Sequence, residues 1–192
     1  WLTDAVNASG STSARVRSRA LRTAGAMAVL IGSYDKGISF TNEALDLAVQ
    51  ANAPWQEAEA RWVLSICDIV AGRLEQAECH LTRALSLLHP ARTPTEITTA
   101  AYVRSAFGLL AFLRGNRALG MELYDQAVTE LRVAGGAGVP IVVFTDYAGW
   151  LIVLERVPQA RQLLHDALRL ARRTPTSWLI GGILIGLALA DS

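Results

Sequence analysis

The sequence predicts an all-α fold: a right-handed α-solenoid of antiparallel helix pairs, with repeats of about 40 residues. Three observations carry this reading. A six-residue phrase recurs five times, as WLTDAV at 1–6, FTNEAL at 40–45, HLTRAL at 80–85, LYDQAV at 123–128 and LLHDAL at 163–168. Its alanines (Ala5, Ala44, Ala84, Ala127, Ala167) stand 39, 40, 43 and 40 residues apart. A glycine-centred turn precedes the phrase in three copies: Gly32-Ser-Tyr34-Asp-Lys-Gly37, Gly72-Arg-Leu74-Glu-Gln-Ala77 and Gly115-Asn-Arg-Ala-Leu-Gly120. The fourth copy, Glu155-Arg-Val157-Pro-Gln-Ala160, has no glycine.

The elements follow in order. Residues 1–13 are a half-repeat whose tail, NASGSTS at 7–13, is polar and poor in helix formers. Full repeats are expected at about 14–52, 54–90, 93–134 and 139–173, with a second half-repeat at 175–192. First helices are placed at about 14–31, 54–71, 94–114, 140–154 and 176–190, and second helices at about 35–51, 74–88, 117–133 and 157–173. Proline marks the starts. Thr93-Pro94-Thr95-Glu96 puts a cap residue, a first-turn proline and a capping-box glutamate in order, and Thr174-Pro175 repeats that logic. Pro54 and Pro158 take the same role, and Pro140 opens an apolar run. Gly135-Gly136-Ala137-Gly138 reads as a flexible connection within the longest step.

Glycine at the turn ends the first helix by taking the left-handed conformation. The small residue five positions on (Gly37, Ala77, Gly120, Ala160) lies seven before the phrase alanine, on one face of the second helix. Seven residues before the turn, Gly25, Ser65, Gly108 and Ala148 face it from the first helix. Small residues on both faces let paired helices approach closely. The half-repeats at both ends lead to the expectation that the chain is a fragment of a longer protein.

Composition narrows the function classes. The chain has 192 residues, 52% of them hydrophobic, enough for one sizeable core drawn out as a seam between repeats. A net charge of +1 gives no bulk reason to expect direct nucleic-acid contact or membrane attachment. Of 18 basic residues only Lys36 is a lysine, which reads as the codon bias of a GC-rich genome. Cys67 and Cys79 suit reduced thiols in a cytoplasmic protein. The most apolar run, Trp178 to Ala190, has 13 residues, too few to span a bilayer.

The chemistry-bearing residues do not assemble into a motif. There is no GxxxxGK[ST], no HExxH and no Cys/His cluster. His80, His89 and His165 are scattered over second helices and read as partly exposed helix residues. Glu57/Glu59 and Glu75/Glu78 sit at helix starts, where they complement the dipole. Arg15, Arg19 and Arg22 share a face, with Arg17 nearby. That patch suits an anion or acidic partner, but a solvated face at the solenoid mouth is the favoured reading. No enzyme, metal or cofactor is expected of this segment.

The small residue, the turn glycine, the aromatic or leucine two later, the small residue beyond it and the alanine seven on together resemble the tetratricopeptide repeat over essentially the whole chain. The longer step, with Ala44-Leu-Asp-Leu-Ala48, Ala167-Leu-Arg-Leu-Ala171 and Pro54-Trp55, is similar to the repeat regions of large ATP-binding LuxR-type and maltose-activator-like bacterial regulators. Thr41 departs from the pattern, standing where a large apolar residue is expected. The resemblance implies a helical-repeat interaction and effector-sensing module of a signal-transduction ATPase, in which ATP binds upstream of this segment. The alternative is a scaffold or adaptor that joins proteins without sensing an effector.

The resemblance also implies that first helices line a concave groove. The inward positions are then Arg19, Glu59, Tyr102 and Val142; Arg22, Trp62, Ser105 and Thr145; Ala26, Ile66, Leu109 and Gly149; and Val29, Ile69, Phe112 and Ile152. The candidate binding residues among them are Arg19, Arg22, Glu59, Trp62, Ile66, Tyr102, Ser105, Leu109, Phe112 and Ile152. Such a groove suits a protein or peptide, or a small apolar effector. Ordinary packing between repeats competes as the reading of Trp62, Phe112 and Trp150. The final apolar helix, 177–190, is expected to be covered by its own second helix in the longer protein, and where this segment stops there it carries a self-association expectation.

Overall fold

The computed structural model describes residues 13–134, 140–172 and 178–191. The first phrase copy, the glycine segment 135–138 and the Thr174-Pro175 start lie outside the described residues. The described residues form nine α-helices: α1 Ala14–Leu30, α2 Tyr34–Gln50, α3 Pro54–Val70, α4 Leu74–Leu87, α5 Pro94–Leu113, α6 Arg117–Ala134, α7 Pro140–Val153, α8 Val157–Ala171 and α9 Trp178–Asp191. Each boundary falls within about two residues of the sequence expectation. The helices pack consecutively in pairs, α1 with α2, α3 with α4, α5 with α6 and α7 with α8, giving an all-α helical-repeat solenoid.

Local chemistry sets the ends. At α5 the Thr93 hydroxyl accepts from the Glu96 amide (3.2 Å), and the Glu96 carboxylate accepts from the amides of Thr93 (3.0 Å) and Arg92 (2.8 Å). Those backbone donors hold the Glu96 carboxyl below its ordinary range.

Five helices end on one hydrogen-bonded motif. An amide reaches back five residues in Ser33→Ala28, Ala53→Ala48, Arg73→Asp68, Asn116→Ala111 and Arg156→Leu151, at 2.7–2.9 Å. In each, the residue before the donor has positive φ. Gly32, Gly72 and Gly115 take it at +78°, +74° and +80°, but Asn52 and Glu155 take it at +45° and +60°. Glu155 therefore holds a left-handed conformation that costs a residue with a Cβ roughly 1–2 kcal/mol. Glu155→Gly is expected to stabilise the chain by about 1 kcal/mol, raising Tm by about 2–4 °C in a thermal melt.

The helix pairs close on small residues. Gly37, Ala44, Ala77, Ala84, Gly120, Ala127, Ala160 and Ala167 are all buried, as are Gly25, Ser65, Gly108 and Ala148 opposite them. A Cβ on Gly37 would stand 3.2 Å from the Gly25 carbonyl oxygen, and one on Gly108 would stand 3.2 Å from that of Gly120. Thr41 is fully buried, with its hydroxyl donating to the Gly37 carbonyl (2.7 Å). It sits where Leu81, Tyr124 and Leu164 stand in the other pairs. The smaller side chain is matched by Gly25, whose added Cβ would meet the Thr41 hydroxyl.

Adjacent first helices approach one another in α1/α3, α3/α5 and α7/α9, whereas among the described residues no two successive second helices come comparably close. The row of first helices is therefore the shorter, inner one, and the stack curves with second helices outside. Between α5 and α7 the backbones stand farther apart. Aromatic rings fill that gap: Trp150 stacks on Phe112 (4.5 Å between centroids), Phe112 on Tyr124 (5.9 Å) and Tyr124 on Tyr147 (4.9 Å).

Candidate functional site

The inner face starts with charge. Arg22 Nε lies 3.4 Å from Glu59 Oε2 across α1 and α3. The two are close as ions but not aligned as a hydrogen bond, and both atoms are buried without one. Burial pushes the Glu59 carboxyl up, and Arg22 and then Arg19 oppose that rise. Arg19 is exposed, with its guanidinium 6.0 Å over the Trp55 ring. The Trp55 indole N–H is fixed in turn by donating to the Thr99 hydroxyl (2.9 Å).

The next step along the face is aromatic. Trp62 is half-buried and stacks on Tyr102 at 5.1 Å between centroids. Ile66, Leu109 and Ile152 are half-buried, as are Val142, Thr145 and Trp150. Gly149 is exposed, and a Cβ there would meet nothing within 4 Å. An open apolar wall thus runs from Trp62 to Ile152, with Arg19, Arg22 and Glu59 at one end.

Three sequence candidates are not on that surface. Tyr102, Ser105 and Phe112 are only 6%, 8% and 6% exposed. Tyr102 lies under Trp62, and burial drives its phenol well above the usual tyrosine range. The Ser105 hydroxyl donates to the Tyr102 carbonyl at 2.9 Å, within its own helix. Phe112 is the hub of the ring stack. Groove-facing register did not make them accessible: Tyr102 and Ser105 lie where α3 and α5 approach closely, and Phe112 is covered by the Tyr124 and Trp150 rings. They support the wall from behind.

Asp146 was not among the candidates; it lies on α7, the helix that carries Thr145 and Gly149. It stands one turn before Trp150, on the exposed side of the helix but with protein crowded around its carboxyl. Burial pushes its carboxyl up to about 6, from an ordinary 3.8. The sequence signal was there: it is the single charge in the run Pro140–Val153. A raised folded-state pKa means the native chain binds this proton more tightly than the unfolded one. That stabilising contribution is complete below about 3.8 and is lost as pH rises through about 6. Asp146→Asn is expected to raise Tm at pH 8 and leave it unchanged at pH 4, as thermal melts at the two values would show.

The cavities lie on the other side. Clefts of about 390, 900 and 220 Å³ open between α2 and α4, α4 and α6, and α6 and α8. The largest has an apolar floor that includes Leu85, Leu88, Ile97 and Phe107, with the Arg104–Glu130 ion pair at its edge. The smallest is bridged by Arg132, whose Nη2 is 2.7 Å from Asp166 Oδ2.

The cleft between α2 and α4 gathers Cys67, Asp68, Arg73, Cys79 and His80. Its chemistry is internally neutralised. Asp68 is bound by Arg73 at 2.8 Å and faces His80 Nε2 at 3.7 Å. Burial lowers the His80 pKa and raises that of the Cys67 thiol, leaving a neutral imidazole and an inert thiol. Among the described residues no three His, Cys, Asp or Glu side chains stand together as metal ligands. No described helix is long and apolar enough to cross a membrane.

No family model matches the chain, and no curated protein does. Among solved structures, the crystal structure of BtubC (BKLC) from P. vanneervenii is similar, with a TM-score of 0.64. The match covers 99% of this chain and 80% of that one at 13% identity. Likeness at that identity shows a shared helical-repeat fold and nothing about function.

Proposed function

We propose that the chain is a protein-interaction module that holds a peptide or helix, or a small apolar effector, along its inner face. The supporting observation is the wall formed by Trp62, Ile66, Leu109, Trp150 and Ile152, partly open to solvent and bounded by Arg19, Arg22 and Glu59. Half-exposed aromatic and aliphatic side chains on a rigid curved scaffold suit an apolar ligand surface, and the charged end suits orientation of that ligand. The repeat step and the phrases around Ala44 and Ala167 favour a place in a cytoplasmic ATP-dependent transcriptional regulator, where occupancy of the face biases the ATPase switch. The scaffold reading shares the same surface but needs no switch.

Gly149 offers the sharpest test, because a side chain there enters open space without touching the core. Gly149→Arg should fold with unchanged or raised Tm and abolish effector-dependent transcription by the parent regulator. A Gly149→Arg protein that responds normally would overturn the inner face as the site. Reading the flanking codons separates the two parents: a Walker A lysine upstream with a helix-turn-helix downstream supports the regulator, and their absence supports the adaptor.

A further inference from the structure

Charge is unevenly spread along the first helices. At the α1/α3 end Arg19 and Arg22 outnumber Glu59. Every other inward position is uncharged. On α7 stands Asp146, the single charge in the run Pro140–Val153.

The surroundings of Asp146 are aromatic. Trp150 lies one turn further on, and residues at that spacing are neighbours on a helix surface. Trp150 is half-buried and stacks on Phe112 at 4.5 Å between centroids. The Asp146 charge also reaches the Tyr124 phenol, whose ring stacks on Phe112 from α6. The carboxyl therefore faces the gap between α5 and α7, where the first helices stand apart. Asp146 is exposed, yet protein crowds its carboxyl. Exposure together with crowding marks a hollow, since a group on a convex surface has few neighbours. Gly149 leaves the hollow open, because an added Cβ there would meet nothing within 4 Å.

Among the described residues no basic side chain pairs with Asp146, and none offsets the burial that pushes its carboxyl up. A crowded carboxylate without a partner is a cost to the fold, which is why Asp146→Asn is expected to stabilise it at pH 8. A cation in the hollow is attracted twice, by the carboxylate and by the electron-rich faces of the rings. We propose that the hollow between α5 and α7 binds an organic ammonium group, with Asp146 as its counter-ion and Trp150 as the ring beside it. This assignment rests on the inner face being the ligand surface, and it adds the chemistry of the ligand: a protonated amine on an apolar body. The arginine end repels the same cation, so the ligand lies along the wall in one direction, amine towards α7.

Titration followed by NMR at the Trp150 indole N–H tests this at pH 8, where Asp146 is ionised. Phenethylammonium should shift that signal to saturation, with a Kd on the order of 1 mM. Phenethyl alcohol, its neutral counterpart, should bind at least about tenfold more weakly. Acetyl-lysine amide with a free side-chain amine presents the ammonium as a peptide does, so the tighter of the two amines identifies a small amine or a peptide side chain as the source. Asp146→Asn should remove the preference for the ammonium and leave the affinity for the alcohol unchanged. It is expected to fold at least as stably as the parent, so lost binding would not come from unfolding. Asp35→Asn, at an exposed carboxylate on α2, should change neither affinity. Equal affinity for the ammonium and the alcohol, or an Asp146→Asn protein that keeps the preference, would overturn the ammonium site and leave the apolar wall standing. A Trp150 signal that no probe moves would overturn the site together with the inner-face reading at this end.

Discussion

Phe112→Ala is expected to destabilise the chain by about 3–5 kcal/mol, the largest loss from any single side chain. Phe112 is 6% exposed and touches both neighbours in the ring stack, Trp150 at 4.5 Å and Tyr124 at 5.9 Å between centroids. It also covers Gly120, where an added Cβ would come within 2.8–2.9 Å of its ring. Elsewhere a backbone-to-backbone approach can carry part of the lost contact. Between α5 and α7 the backbones are apart, so the deleted ring leaves a void that neither helix can close. The loss should appear as a fall in Tm on the order of 10 °C. It should also be local: amide exchange should quicken in α7, α8 and α9 while α1 to α4 keep their protection, because repeats couple only to neighbours. A uniform loss of protection would mean that the stack is not the coupling element.

Gly25→Val is expected to cost about 3 kcal/mol by the opposite route, overpacking. A Cβ at Gly25 would lie 3.1 Å from the Gly37 carbonyl oxygen and 3.3 Å from the Thr41 amide nitrogen, and would collide with the Thr41 hydroxyl. Backbone atoms cannot turn aside as a side chain can. The α1/α2 pair must separate, which strands the buried Ser18–Ala44 hydrogen bond of 2.8 Å. Thr41→Ala in the Gly25→Val background removes the hydroxyl collision alone. It should recover part of the loss in a denaturant titration, with the remainder assigned to the backbone contacts.

The helix positions were legible because their signals are local. Turn glycines, first-turn prolines and small residues seven apart act within one helix or one turn, and their chemistry does not depend on what lies beyond. Glu155 shows the limit of that logic. Its turn was read as an exception for want of glycine, yet it adopts the same motif, because the Leu151–Arg156 bond and the packing of Leu151 over-determine it. Thr41 departs visibly from the repeat pattern, but its compensation by Gly25 needs both helices in view. The inner face was legible as a set of positions and less so as a surface. Tyr102, Ser105 and Phe112 share the register of Trp62 and Leu109, and only the tertiary packing, a close α3/α5 approach for the first two and the ring stack for Phe112, separates buried from open. The clefts between second helices left no sequence signal, since they come from the curvature of the whole stack.

That curvature makes the two faces of the solenoid a single mechanical variable. First helices close together and second helices apart are one geometry seen from two sides, so tightening the arc narrows the inner wall as it widens the outer clefts. A molecule wedged into the 900 Å³ cleft between α4 and α6 is therefore expected to favour a tighter arc, as small-angle scattering with and without it would show.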